Sequence, residues 1–156
     1  MESASCGIQP EQEMQLVILG LLNSVFSEKV IRILNPTINV QVGDIMSIPL
    51  ENFEKKNNSI NSWVQNCIDI SRSDWNTFET AWDFDTHPMI RWSKEMWDVT
   101  AIGTAMQNYY GCHPQVNSPL ELCYMLWKGQ ANQQFQELKA NEEELNRIFI
   151  DIYGLQ

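Results

Sequence analysis

The sequence predicts a mainly α-helical protein, a helical module with one small β element near residues 37–42. Three observations carry this expectation. Apolar residues recur at helical spacing in several separate stretches, capping signatures stand at the starts of two of them, and an alternation of period two is confined to residues 37–42.

Residues 14–34 hold too many apolar side chains for a narrow stripe, from Leu16, Val17 and Ile18 through Leu21, Leu22, Val25 and Phe26 to Ile33 and Leu34, which predicts a buried helical unit. Asn23 and Ser24 are poor in a helix interior but good at its start, so two consecutive helices are expected with a break there. The second should end before Asn35-Pro36, because the residue preceding a proline is pushed out of the α region. Ile38, Val40 and Val42 then alternate with Thr37, Asn39 and Gln41, the pattern of a half-buried strand. Gly43-Asp44 is expected to turn the chain, and Pro49 excludes a helix interior over residues 45–50. The polar run from Glu54 to Ser59 suits a linker, giving an organisation of residues 1–53, a linker over 54–62 and a helical module over 63–156.

Ile60, Trp63, Val64, Cys67 and Ile68 form one amphipathic helical pattern, and Trp75, Phe78 and Trp82 repeat it beyond a break at Ser71-Arg72-Ser73. Residues 83–117 are weakly patterned, with a helix expected near residues 100–110 and a loop over 111–117. Ser118-Pro119-Leu120-Glu121 combines an N-cap serine, a proline at the first helical position and a capping-box glutamate, so a long helix should begin there, with Gly129 a candidate interruption. Asn141 with Glu144 repeats the capping pattern ahead of the stripe Leu145, Ile148, Phe149 and Ile152, and Gly154 supplies a stop.

At 156 residues and 44% hydrophobic content the chain can bury a real core, as one domain or two small lobes. Its net charge of −10 repels phosphate and argues against a main DNA clamp. Residues 1–56 carry seven acids against four bases, and residues 57–156 thirteen against six, so the first third is the better place for local nucleic-acid contact. Cys6, Cys67, Cys112 and Cys123 show no C-x-x-C spacing, and reduced thiols are expected. No apolar run approaches the ~18 residues of a membrane span, and the N-terminus lacks a basic region followed by an apolar core. A soluble, cytoplasmic protein without membrane contact is the expectation.

Several residues invite chemistry. Asn39 and Gln41 can offer a donor and an acceptor to a base edge or a phosphate, although a solvated strand face is the commoner explanation of such residues. Lys29, Arg32, Lys55 and Lys56 could meet phosphates near the same element, against the plainer reading of a solvated face. His87, Cys112, His113 and Cys123 fit no common zinc spacing, which favours buried thiols and hydrogen-bonded imidazoles, so no metal site is assigned. Trp63, Trp75, Trp82, Trp92, Trp97 and Trp127 could stack on bases, but their helical spacing and acidic surroundings favour packing. Asp83 and Asp85 beside His87 could serve acid–base or metal chemistry, with turn and capping use the commoner role.

The order of three stretches carries a family resemblance. Leu21-Leu22-Asn23-Ser24, followed by Asn35-Pro36-Thr37-Ile38-Asn39-Val40-Gln41-Val42-Gly43-Asp44-Ile45 and Ile48-Pro49-Leu50, resembles the end of the target-recognition region in Type IIG-like and bacteriophage-exclusion (BREX, PglX-type) adenine-specific DNA methyltransferases. Asp74-Trp75-Asn76-Thr77-Phe78-Glu79-Thr80-Ala81-Trp82-Asp83-Phe84 with His87-Pro88, and the stretch from Ala140 to Gln156, are similar to the same BREX enzymes. The match covers most of the chain. It is weak over residues 89–117, and the family's usual basic residue after Leu-Asn-Ser is Val25 here.

The resemblance implies a parent enzyme that methylates adenine N6 on DNA with S-adenosylmethionine, in phage defence or restriction-modification. This chain would be an excised or truncated C-terminal segment, with residues 1–53 ending the target-recognition-like region. Such an enzyme needs a glycine-bearing cofactor loop and an (Asn/Asp)-Pro-Pro-aromatic loop. The seven glycines include no G-x-G, no two of the six prolines are adjacent, and Asn35-Pro36-Thr37-Ile38 shares only its first two positions with the second motif. No catalytic or cofactor-binding residue is therefore assigned. The implied partners are the parent's catalytic domain and duplex DNA, the latter bound weakly by the isolated piece. The competing reading is a helical interaction module that docks other defence proteins without touching DNA.

Overall fold

A computed structural model describes residues 7–37, 39–51, 53, 57–95, 98–112 and 115–155. A 3-10 turn (Gln12–Met14) leads into α1 (Gln15–Leu22), α2 (Val25–Leu34), α3 (Val42–Met46), α4 (Asn57–Trp75), α5 (Pro88–Glu95), α6 (Val99–Tyr110) and α7 (Pro119–Ile152). Among the described residues there is no strand, so the architecture is mainly α. The chain divides into two compact units, the first made of Met1–Cys67 with Ala140–Gln156 and the second of Ile68–Lys139.

In the first unit the break between α1 and α2 is made by side chains that satisfy helix ends. The Ser24 hydroxyl accepts from the Ser27 N–H at 3.3 Å as N-cap of α2, while Ser27 Oγ and Asn23 Nδ2 donate to the Leu21 and Leu19 carbonyls at 2.5 and 2.9 Å. Asn146 Oδ1 accepts from the Val25 N–H at 2.8 Å and so ties the first turn of α2 to α7. Val17, Leu21, Ile60, Val64 and Phe149 form the core of this unit, none more than 3% exposed. Helix α1 approaches α4 so closely that a Cβ on Gly20 would lie 2.6 Å from Val64 Cγ2.

The second unit is built around Ala105, Met106 and Leu126, with Trp92, Ile102 and Tyr109 packed against them. Asp98 caps α6 by accepting from the Ala101 N–H at 2.9 Å, and Gly111 ends it at φ 66°. The Tyr110 hydroxyl donates to the Met125 carbonyl at 2.7 Å, fixing α6 on α7.

Helix α7 starts where its sequence signals it. Ser118 Oγ accepts from the Glu121 N–H at 3.2 Å, and the Glu121 carboxylate reaches back to the Asn117 N–H at 2.6 Å. It ends in a Schellman turn, with Gly154 at φ 63° and the Leu155 and Gly154 N–H groups donating to Ile150 and Asp151 at 3.0 and 3.2 Å. The second start expected at Asn141 does not occur. Asn141 lies inside a continuous 34-residue helix and is only 2% exposed. The junction is rich in Gln, Glu, Leu, Lys and Ala, residues whose high helix propensity carries the helix through.

Three other expectations change. The described residues of the stretch 37–42 form no strand, and Gly43 and Asp44 lie within α3 instead of in a turn; Val40 and Val42 are 41% and 50% exposed. An alternating pattern needs a partner edge to become a strand, and here Asn35 holds the segment in a local turn instead. Helix α4 runs from Asn57 without interruption through Ser71-Arg72-Ser73. Beyond it Trp75, Phe78 and Trp82 lie in or after the last turn and are 63%, 54% and 101% exposed, so they do not form a core stripe. The Thr77 N–H and hydroxyl both donate to the Asp74 carbonyl, at 2.9 and 2.7 Å, which closes the end of α4.

Candidate nucleic-acid interface

Lys29 and Arg32 sit three residues apart on the exposed face of α2. Arg32 pairs with Glu28 at 2.8 Å, with side chains 72% and 49% exposed. An ion pair that open to water is weak, so it leaves Arg32 free to exchange its partner for an external anion.

Asn35 organises the loop that follows. Its Oδ1 accepts from the Thr37 N–H at 2.9 Å, and its Nδ2 donates to the Asn39 carbonyl at 3.0 Å and to Asp44 Oδ2 at 2.7 Å. The same Asp44 oxygen accepts from the Gln41 N–H at 2.8 Å, which starts α3. Asn39 and Gln41 are thereby held by their backbones while both residues stay exposed. These organising roles of Asn35 and Asp44 were not assigned from sequence; the signal was an Asn-Pro-Thr turn followed by an acid at the third helical position. Lys55 and Lys56 lie outside the described residues.

The hydrogen bond from Asn35, and then that from the Gln41 backbone, hold the Asp44 carboxyl below its ordinary 3.8. A depressed carboxylate stabilises the fold above its unfolded pKa, and that contribution is lost as pH falls through the folded value. Amide protection factors at Gln41 and in α3, relative to the intrinsic rate at each pH, should therefore fall as pH drops below 3.8 in wild type, whereas Asp44→Asn should show low protection already at neutral pH. Equal protection in both proteins at neutral pH would show that Asp44 does not hold the loop.

The other candidates are placed separately. His87 Nδ1 accepts from the Met89 N–H at 3.2 Å and its ring meets Trp127 edge-on at 5.1 Å. Cys123 is buried, but Cys112 is exposed, contrary to the expectation of a buried thiol, and His113 lies outside the described residues. Burial, followed by Glu142 nearby, pushes the half-buried Cys67 thiol up. Among the described residues no group of three or more His, Cys, Asp and Glu side chains is arranged to hold a metal ion. Trp92 and Trp127 are half-buried, in keeping with packing, and Trp97 lies outside the described residues. Asp83 and Asp85 line a polar cavity of about 250 Å³ in the second unit with Asp74 and Trp127. No helix among the described residues is long and apolar enough to cross a membrane.

Comparison with known proteins adds what the geometry does not carry. The chain is 34% identical over 141 residues to the adenine-specific methyltransferase PglX of Lacticaseibacillus casei (strain Zhang), a match covering 90% of this chain and 10% of that protein. It is also 34% identical over 73 residues to the adenine-specific methyltransferase BrxX of Escherichia coli O9:H4 (strain HS), covering 47% of this chain and 6% of that protein. No family model and no solved structure matches. The helical segment is therefore related to adenine-specific methyltransferases. Among them it matches a segment of the PglX-type enzymes of BREX systems, and it spans about one tenth of the length of the L. casei relative.

Proposed function

We propose that the chain is a non-catalytic segment of a cytoplasmic adenine-N6 DNA methyltransferase of phage defence or restriction-modification. Residues 1–53 close its target-recognition region, and residues 63–156 form a helical C-terminal module joined by residues 54–62. One observation carries the reading: identity to PglX extends over 141 residues, yet the sequence holds neither loop that methyl transfer requires. S-adenosylmethionine belongs to the parent's catalytic domain, which is the segment's first partner.

The test has two levels. Calorimetry with S-adenosylmethionine and a labelled methyl-transfer assay on the isolated chain should show neither binding nor turnover; micromolar affinity or turnover above background sinks the proposal. In the full-length enzyme, Lys29→Ala and Arg32→Ala should each lower the salt dependence of duplex binding by about one phosphate contact, with little change in sequence preference. Asn39→Ala or Gln41→Ala should shift preference by ~1–3 kcal/mol at one base pair if either reads a base.

A second reading is a helical interaction module without DNA contact. It is favoured by the exposed apolar side chains of the first unit, with Ile33 82%, Met46 81% and Leu50 62% exposed. No change in duplex binding in any of the four variants selects this reading.

A further inference from the structure

The stretch Asp74–Phe84 with His87-Pro88 is not used by the proposed DNA contact, yet it walls two adjoining cavities of the second unit. One is an apolar groove of about 540 Å³ whose lining includes Met89, Ile90, Pro119, Leu120 and Cys123. The other is the polar cavity of about 250 Å³, where Asp74, Asp83 and Asp85 face Trp127 and the amides of Gln130 and Gln134. His87 lines the groove and the adjacent Pro88 lines the polar cavity, and the edge contact of His87 on Trp127 joins them.

Charge and exposure define what fits. Residues 73–90 contain Asp74, Glu79, Asp83 and Asp85 and no lysine or arginine, and among the described residues Arg91 is the one such base lining either cavity. Three carboxylates against the one guanidinium of Arg91 leave the polar cavity net acidic, so a phosphate is repelled there and a further guanidinium or ammonium is attracted. In the groove Leu120 and Ile90 leave 69% and 53% of their surfaces open, apolar area of the kind that marks an interaction site. The two cavities ask for two different groups a short distance apart, which a polypeptide supplies on neighbouring side chains.

We infer that this surface seats a segment of the parent methyltransferase outside residues 1–156, one that places a lysine or arginine in the polar cavity and an adjacent apolar side chain in the groove. The inference rests on the proposed function. The relative PglX is about ten times as long as the match, so most of the polypeptide able to cover this face lies outside the chain.

Hydroxyl-radical footprinting tests it, on the isolated chain and on the full-length parent. Ile90 and Leu120 should label readily in the isolated chain and several-fold more slowly in the parent. Asp83→Asn combined with Asp85→Asn should restore labelling in the parent while leaving the melting of the isolated chain unchanged, since both carboxylates are exposed. Equal labelling of the isolated chain and the parent overturns the inference. Protection that grows with the concentration of the isolated chain assigns the face to a second copy, and protection only after duplex DNA is added assigns it to DNA; either also overturns it. Protection insensitive to the double substitution rules out the cationic half and overturns the stated chemistry. A reading frame that closes at this chain removes the proposed function and the inference together, whereas an unchanged footprint in a genuine parent removes the inference alone.

Discussion

Phe149→Ala is expected to destabilise the first unit by ~3–5 kcal/mol, a large part of the ~5–15 kcal/mol that holds a typical domain folded. The ring is fully buried and meets Phe53 edge-on, with centroids 6.1 Å apart at 81°. Phe53 in turn lies edge-on to Tyr153, which stacks on Phe26 at 3.8 Å, so one aromatic chain links α2 and α7 with the segment before α4. A Cβ on Gly20 would fall 3.5 Å from Phe149 Cζ, which shows that the ring also reaches α1. Truncation thus opens a cavity that helices fixed by their other contacts cannot close. Urea unfolding and native-state hydrogen exchange in α1 and α4 measure the loss. Phe135→Ala on the same helix is the control: that side chain is 61% exposed, and its removal should stay within ~0.5 kcal/mol. Equal losses in the two variants would mean that Phe149 does not anchor a core.

Gly129→Ala should destabilise the second unit by a net ~1–2 kcal/mol, although the same change in an open helix position stabilises by up to ~1 kcal/mol. An added Cβ would meet Tyr109 Cβ, Cγ and Cδ2 at 2.7 to 2.8 Å. Tyr109 Cβ is fixed to the α6 backbone, so relief requires the two helices to separate and loosens the contacts of Tyr109 and Leu126. Gly43→Ala in α3 isolates the propensity term, because nothing lies within 4 Å of its added Cβ. Thermal melts should move in opposite directions for the two variants. A rise for both would show that α6 and α7 are not in close packing.

Local chemistry made much of this legible. Ser24, the Ser118-Pro119-Glu121 set and Gly154 act within one or two turns, so their spacing alone located the start of α2 and both ends of α7. The family resemblance was readable for the same reason, from the residues of three ordered stretches. Among the candidate contacts, sequence chemistry singled out Lys29, Arg32, Asn39 and Gln41, and the structure puts them on α2 and the loop behind it, in the first unit. It could not show that Asn35 and Asp44, nine residues apart, hold that loop between them.

The sequence by itself determined that the chain is helical, where its strong caps lie and which enzymes it is related to, because propensity, capping and identity are local properties. Tertiary structure decided the rest. The alternation of residues 37–42 found no partner edge, and Asn141 had the form of a cap yet stayed inside α7. Gly20 and Gly129 became points of helix contact, while Trp75, Phe78 and Trp82 stand exposed at and beyond the end of α4. Each outcome depends on what lies opposite a residue in space, and a pattern along the chain carries the period of a face without saying what covers it.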